Sequence, residues 1–576
     1  RSSSINRHSG RSNASCSALG GHVQRKAIRR LPESRAKNGG KMAKRKHSPV
    51  SAPRNNKVGQ KTDGTTPRKK RKSTQRNGGV QRDDPLAKGL PVENGPSGGS
   101  SGSRGLAVSD VGREDAFPWL PSRGAKGSEA VASRSFDWLI QPIGQERFFR
   151  ELWEQKPLLV KRHQPGFYGD LMSCQQLDRI LRERQLYFTE NVDLTTYRGG
   201  VRETHNPPGR AHAAVVWDYF QQGCSVRLLN PQTYSRQLWR LCATLQEFFS
   251  SMVGANLYLT PAGSQGFAPH YDDIEAFVLQ LEGQKLWRVY APRDPSEELP
   301  RFSSGNFTKE EVGEPLLTTL LEPGDLLYFP RGFIHQACTG ETSHSLHLTL
   351  STCQRNTWGD LLEKALPTAL QLALEEDVDF RRSLPRDYPS VMGVANADLA
   401  NPRREAFLAK MRGLFERLWD FLPVDAAADQ MVKAHLHEAL PPLLSQQERE
   451  CSVHGGEHWH EGRVVDVQEL EPDTAVRLVR RNAVRLVVEE DSVRLYHSLD
   501  NSRVYQERDP QWVELDAERA PAVEALLHAY PGYLRIHELP LEGPTECMEL
   551  ASLLYDRGLL LTREPLDPVD YDDDDN

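Results

Sequence analysis

Gly266-Phe267-Ala268-Pro269-His270-Tyr271-Asp272-Asp273-Ile274-Glu275-Ala276-Phe277-Val278-Leu279-Gln280-Leu281 sets a polar His-x-Asp directly before a mostly apolar run. The segments around it share one grammar. Ala255 to Thr260 alternates and Pro261-Ala262-Gly263-Ser264 turns before the motif, while Glu282-Gly283 separates the apolar run from Gln284 to Tyr290. That last arrangement is a short-loop hairpin signal. Leu316 to Leu321, the turn Glu322-Pro323-Gly324-Asp325, Leu326 to Phe329 and Ser345 to Ser351 add further strands. Many short strands at regular spacing predict a double-sheet jelly roll, which we bound at residues 135–355.

On its N-terminal side, Phe148 to Val160 reads as a short helix stopped by Pro157 and followed by a strand. Cys174 to Glu183 and Tyr234 to Phe249 read as helices, with short strands and turns between them leading to Ala213-Ala214-Val215-Val216-Trp217. Past Cys353 the period changes. Trp358 to Leu366 is helical, Pro367 can open a further helix to Leu374, and Glu405 to Leu422 carries a wide apolar stripe through Phe407, Leu408, Met411, Leu414, Phe415, Leu418, Trp419 and Leu422. We assign residues 356–445 to a helical bundle, whose stripe serves either packing or self-association. Strands Val476 to Val479, Val484 to Val488 and Val493 to Tyr496, with helices Pro521 to Tyr530 and Glu546 to Gly558, predict a winged-helix-like domain over 462–565. Asp572 to Asp575 lie in an acidic tail, 566–576, so this end favours protein contact over DNA.

Charge divides the chain. Residues 1–100 hold 24 Lys and Arg against 5 Asp and Glu, which leaves 49 against 73 for residues 101–576. The first 127 residues lack the apolar content to offset the entropy of ordering, and predict a disordered basic tail. Its runs Lys41 to His47 and Pro67 to Lys72 suit nuclear import, with nucleolar and nucleoplasmic residence, or contact with RNA. The eight cysteines contain no C-x-x-C pair, which argues against a structural zinc site or a disulfide framework and favours a reducing compartment. No apolar run reaches the length of a membrane span, and no signal peptide is legible. Because the chain opens on Arg1 rather than Met, we expect native residues upstream of it.

His270 and Asp272, two apart, can share one face of an extended segment. A Pro330-Arg331-Gly332 turn brings His335 back toward them. Two imidazoles and one carboxylate leave open positions on a metal, the donor set of non-haem Fe(II) oxygenases. His344 and His347 compete with His335 for the third position, and packing or pocket lining suits them better. The cluster His454 to Glu461 could bind zinc by composition, though its glycines favour a solvated loop. A 2-oxo acid could fill two open positions of the iron and leave one for O2. Its far carboxylate would need a buried cation and hydroxyl or amide donors; Lys285 is the best cation, with Tyr258, Asn256 and Thr349 as donors.

His270-Tyr271-Asp272, Lys285 and Gly332-Phe333-Ile334-His335-Gln336-Ala337 resemble the JmjC family of 2-oxoglutarate oxygenases. The arrangement of basic tail, jelly roll, helical bundle and winged-helix end over roughly 135–565 resembles the ribosomal oxygenases, a group with a nucleolar branch described both as histidyl-hydroxylases and as histone lysine demethylases. The resemblance implies an α+β fold built on a double-stranded β-helix, and a homodimer formed through the bundle. It also implies Fe(II), 2-oxoglutarate and O2 as cofactor and co-substrates, and hydroxylation of a histidine in a large-subunit ribosomal protein. Asn306 and Ser351 would then meet the substrate. Demethylation of histone tails, with transcriptional repression, is the competing activity; a non-catalytic chromatin or ribosome-assembly protein is the competing class.

Overall fold

A computed structural model describes residues 127–489 and 492–569, together with the backbone of Val92–Asn94. The two basic runs, Cys16 and the aspartates of the acidic end lie outside the described residues. Helical structure begins at Ser128–Ile140, and this helix lies on Arg236–Phe249, with Phe136 stacked on Phe248 at 4.5 Å.

Two sheets face one another. The larger runs, in spatial order, Val92–Asn94, Leu158–Lys161, Leu326–Phe329, Glu275–Gly283, Ser345–Thr352, Val253–Thr260, Ser225–Leu229, Val192–Arg198 and Val201–Thr204. The smaller runs Ile334–Cys338, Lys285–Tyr290 and Leu317–Leu321. Alternation assigns each side chain a side. Leu257, Leu259, Leu346, Leu348 and Leu350 point to the helical layer and are fully buried in one core with Phe136, Leu238 and Leu241. Their neighbours Asn256, Tyr258, Thr349 and Ser351 point between the sheets and are half-buried.

The expected hairpin across Glu282-Gly283 does not form. Glu275–Gly283 pairs with Leu326–Phe329 and Ser345–Thr352, whereas Lys285–Tyr290 pairs with the other sheet. Gly283, at φ +62°, turns the chain from one sheet to the other, and a Cβ there would stand 1.8 Å from the His344 carbonyl oxygen. The site decides between sheets because the close approach leaves room for no other residue.

Other expectations also change. Ala213–Gln221 is a helix, with Val216 buried on its inner face. Pro367 does not open a new helix but lies inside Trp358–Glu376, where Ala365, Ala369 and Ala373 bury one continuous face across it. That packing outweighs the missing N–H. The apolar stripe of Pro402–Leu418 is left mostly uncovered: Leu418 is buried, but Leu408, Met411, Phe415 and Trp419 are exposed. His458–His460 and Arg463–Val465 form an exposed two-stranded hairpin rather than a loop.

The last domain follows the expected strands and helices closely. Ala475–Leu478 pairs with Leu534–Arg535 and Leu560–Thr562, while Val484–Glu489, Ser492–His497 and Gln511–Leu515 make a second sheet. Helices Ala520–Ala529 and Pro544–Asp556 close a core around Leu478, Leu495, Val523, Leu550 and Leu554. Among the described residues no helix is long and apolar enough to cross a membrane.

Candidate functional site

A cavity of about 440 Å³ opens between the two sheets, and all nine residues singled out from the sequence line it. Each sheet contributes its inward row: Asn256, Tyr258, Thr349 and Ser351 from the larger, Lys285 and His335 from the smaller. Asn256 lies opposite Thr349 and Tyr258 opposite His347 in the antiparallel register, so one pair of strands supplies four neighbouring lining groups. His270, Asp272 and Asn306 come from loops at the rim.

His270 and His335 are joined by their backbones, the amide of each donating to the carbonyl of the other at 3.3 and 2.8 Å. The Gly332 amide donates to the Asp272 carbonyl at 3.1 Å, which ties the turn before His335 to the His-x-Asp loop. Gly332 stands at φ +88° with its α-carbon against the Glu297 carbonyl, so a side chain would displace the turn. Beneath the turn, Arg331 Nη1 reaches Glu275 at 3.0 Å and Glu154 at 2.6 Å, and Tyr328 donates its hydroxyl to Glu275 at 2.6 Å.

The three side chains converge. His270 Nε2 lies 3.8 Å from Asp272 Oδ1 and His335 Nε2 lies 3.7 Å from Asp272 Oδ2, with the two rings 4.5 Å apart. Nδ1 of His270 faces the Ala268 carbonyl at 2.8 Å, and Nδ1 of His335 faces the Phe333 carbonyl at 3.2 Å. A carbonyl can only accept, so each Nδ1 carries the proton and each Nε2 presents a lone pair to the shared centre. Burial, and then His270, lower the pKa of His335 and keep its ring neutral. This donor set fits a divalent metal with open positions.

Lys285 is 5 % exposed, and its ammonium donates to Thr260 Oγ1 at 3.0 Å. Among the described residues no carboxylate pairs with it, and burial lowers its pKa to about 7. A buried cation facing a cavity without an acid partner fits an anionic ligand.

Of the competing histidines, His347 lines the cavity, stacked on Tyr258 at 4.9 Å and held neutral by burial. His344 lies outside it, with Nε2 3.3 Å from Glu282. Sequence reasoning missed Arg202, Arg227, Phe267, Trp287 and Phe329 in the lining. Two carried a signal: Trp287 is two residues beyond Lys285 on the same strand, and Arg227 lies directly opposite Tyr258. Phe267 sits in a loop outside the paired rows, and Arg202, opposite Tyr197 on the edge strand Val201–Thr204, meets it as a cation over a ring at 4.6 Å.

Comparison with known proteins identifies the family. Residues 227–361 match the JmjC domain family, and residues 440–566 match the family described as ribosomal oxygenase 1, C-terminal winged helix domain. The chain is 53 % identical over 439 residues to a Branchiostoma floridae protein named bifunctional lysine-specific demethylase and histidyl-hydroxylase NO66, covering 76 % of this chain and 69 % of that one. It is 52 % identical to ribosomal oxygenase 1 of Gallus gallus, covering 76 % and 73 %. A solved structure of Escherichia coli ycfD aligns with a TM-score of 0.40 at 16 % identity, covering 73 % of this chain and 98 % of that one. With two family matches and identity above one half across most of its described length, the chain belongs to the ribosomal oxygenase 1 family of JmjC-domain oxygenases.

Proposed function

We propose that this protein is an Fe(II)- and 2-oxoglutarate-dependent oxygenase that hydroxylates a histidine side chain of a large-subunit ribosomal protein. The observation that carries the reading is the buried Lys285, without an acid partner among the described residues, facing the same cavity as the converging triad. His270, Asp272 and His335 would hold the iron, which supplies oxygen activation coupled to oxidative decarboxylation of the 2-oxo acid. Lys285 neutralises the far carboxylate of 2-oxoglutarate, and Tyr258, Asn256 and Thr349 surround it with hydroxyl and amide donors. Asn306 and Ser351, toward the rim, contact the substrate peptide. The apolar lining from Phe329 and Trp287 excludes water from the reacting centre.

Hydroxylation is favoured over lysine demethylation by the state of the aromatic rings. Methyl-lysine recognition uses free ring faces as a cage. Here Arg202 and Arg227 already lie over Phe267 at 4.6 and 5.7 Å, Tyr258 is stacked on His347, and Phe329 faces His335 at 4.5 Å.

The acidic balance of residues 101–576 suits a basic ribosomal partner or a histone tail. The exposed stripe of Pro402–Leu418 supports a homodimer through the bundle. The basic N-terminal runs support nuclear and nucleolar residence, with RNA as a further contact. Incubation with Fe(II), 2-oxoglutarate and either ribosomal-protein or methylated histone peptides decides the reaction by mass spectrometry. We expect one added oxygen on a histidine; loss of a methylene from methyl-lysine alone would overturn the reading.

A further inference from the structure

Among the described residues, two groups of His, Cys and carboxylate side chains bring their ligand atoms within 4.8 Å of one another. One is the triad above. The other is Cys174, Glu282 and His344, none of which lines the cavity. We infer that Cys174, Glu282 and His344 form a second, independent metal site of zinc type, with three protein donors and one position open to water.

Three elements far apart in sequence deliver the donors. Cys174 opens the helix Cys174–Glu183, whose start is fixed by Ser173 accepting the Gln176 amide at 3.2 Å. Glu282 ends the strand Glu275–Gly283, and its Oε1 accepts the Cys174 amide at 2.8 Å, which leaves Oε2 to face His344. His344 precedes the strand Ser345–Thr352, and its carbonyl accepts the Gln284 amide at 3.3 Å. Backbone contacts thus hold all three donors.

The spacing matches tetrahedral zinc. Usual Zn–S and Zn–N lengths place a sulfur and a nitrogen ligand about 3.6 Å apart and a nitrogen and an oxygen about 3.3 Å apart. Here Cys174 Sγ lies 3.8 Å from His344 Nε2, and Glu282 Oε2 lies 3.3 Å from the same atom. A thiol beside an imidazole and a carboxylate selects a borderline-soft ion over magnesium or calcium. Burial, and then Glu282, raise the pKa of Cys174, so the metal-free thiol keeps its proton. Binding replaces the S–H bond with S–Zn and releases that proton to water, and affinity increases with pH. The site braces the crossover at Gly283, two residues before Lys285, without touching the reacting atoms.

An ordinary imidazole–carboxylate ion pair with a bystander thiol would look similar, and cobalt separates the two. The metal-free full chain is titrated with Co(II), whose bond to a thiolate adds a near-ultraviolet charge-transfer band that histidine and carboxylate ligands do not give. We expect two equivalents in the wild type, one with that band. Cys174→Ser and His344→Ala each lose the band and one equivalent, and His335→Ala keeps the band and loses the other. The His344 side chain is 43 % exposed, so its replacement tests the site even if Cys174→Ser melts early. A wild type that binds cobalt without the band, or a band that survives Cys174→Ser and His344→Ala, overturns the proposal. Failure here leaves the His335-dependent equivalent, and the oxygenase reading, untouched.

Discussion

Two buried cations set the jelly roll and the winged-helix region apart. Arg480 is 8 % exposed and is answered from within the chain, by Glu448 at 2.9 Å and Glu247 at 3.3 Å. Burial alone would lower its pKa, but Glu448, with Glu247 behind it, raises it above the ordinary value. Lys285 is as deeply buried and, among the described residues, meets the hydroxyl of Thr260 and the ring of Trp287 but no carboxylate, and its pKa falls. A buried charge matched inside the chain is a structural element, and removing one member strands the others. A buried charge left unmatched beside a cavity costs stability until a ligand of opposite sign arrives. The contrast separates architecture from binding site with no reference to motifs.

The sharpest break comes from removing metal donors. His335→Ala or Asp272→Ala is expected to lower turnover at least about 10³-fold, because three donors act as a unit. Decarboxylation of 2-oxoglutarate measures it, and a melting curve near that of the metal-free wild type confirms an intact fold. A residual activity within tenfold would remove these residues from the site.

Arg480→Ala and Lys285→Met should move stability in opposite directions. Arg480→Ala removes the cation facing Glu247 and leaves Glu448 with Arg477 at 4.0 Å, at a cost of about 3–5 kcal/mol in urea unfolding. Lys285→Met is expected to be neutral or to stabilise the ligand-free protein by about 1–4 kcal/mol. The same change weakens 2-oxoglutarate by about 2–5 kcal/mol, upward of 30-fold in its KM. If both variants destabilise equally, the comparison fails.

The contrast also has a pH signature. Lys285 titrates at about 7 in the folded chain against an ordinary 10.5. Between these values the unfolded chain binds a proton that the ligand-free folded chain does not, so this group makes stability rise with pH across that window and is flat below it. Binding of 2-oxoglutarate needs the ammonium and takes up a proton above about pH 7. Its Kd should therefore climb over the same window, which calorimetry in buffers of different ionisation enthalpy reads directly. A Kd independent of pH from 7 to 9 would show that Lys285 stays charged without ligand.

Smaller effects probe the surfaces. Phe415→Asp with Trp419→Asp adds charge to the exposed stripe, and if the proposed homodimer forms there, light scattering is expected to show a dimer for the wild type and a monomer for the variant. Asn306→Ala and Ser351→Ala should raise the KM for the protein substrate severalfold, about 1 kcal/mol each, and leave the KM for 2-oxoglutarate unchanged.

The strand-borne part of the candidate site was legible because its residues obey local rules, whereas Arg202, Arg227, Phe267, Trp287 and Phe329 were not singled out. Asn256 and Tyr258 are two apart on one strand, Thr349 and Ser351 two apart on its neighbour, and each pair shares a face by strand alternation. The hairpin at Glu282-Gly283 was misread for the complementary reason. A two-residue turn between apolar runs looks the same locally whether the second strand folds back on the first or crosses to another sheet. Only the His344 carbonyl packed against Gly283 distinguishes them. At Pro367 local propensity predicts a helix start, whereas the buried face of Ala365, Ala369 and Ala373 carries one helix across it.

By itself, then, the sequence determined which strand residues share a face, where strand periodicity gives way to helix periodicity, and that His270 and Asp272 lie two apart with a small set of histidines as candidates for a third donor. Periodicity of two or of 3.6 residues is a property of the chain alone. Tertiary structure decided which sheet each strand joins, that Lys285 is buried without an acid, that Phe267 is already covered by arginines, and that His344 meets Cys174 and Glu282 rather than the cavity. Those outcomes depend on pairings between residues tens to more than a hundred positions apart, and no local pattern encodes them.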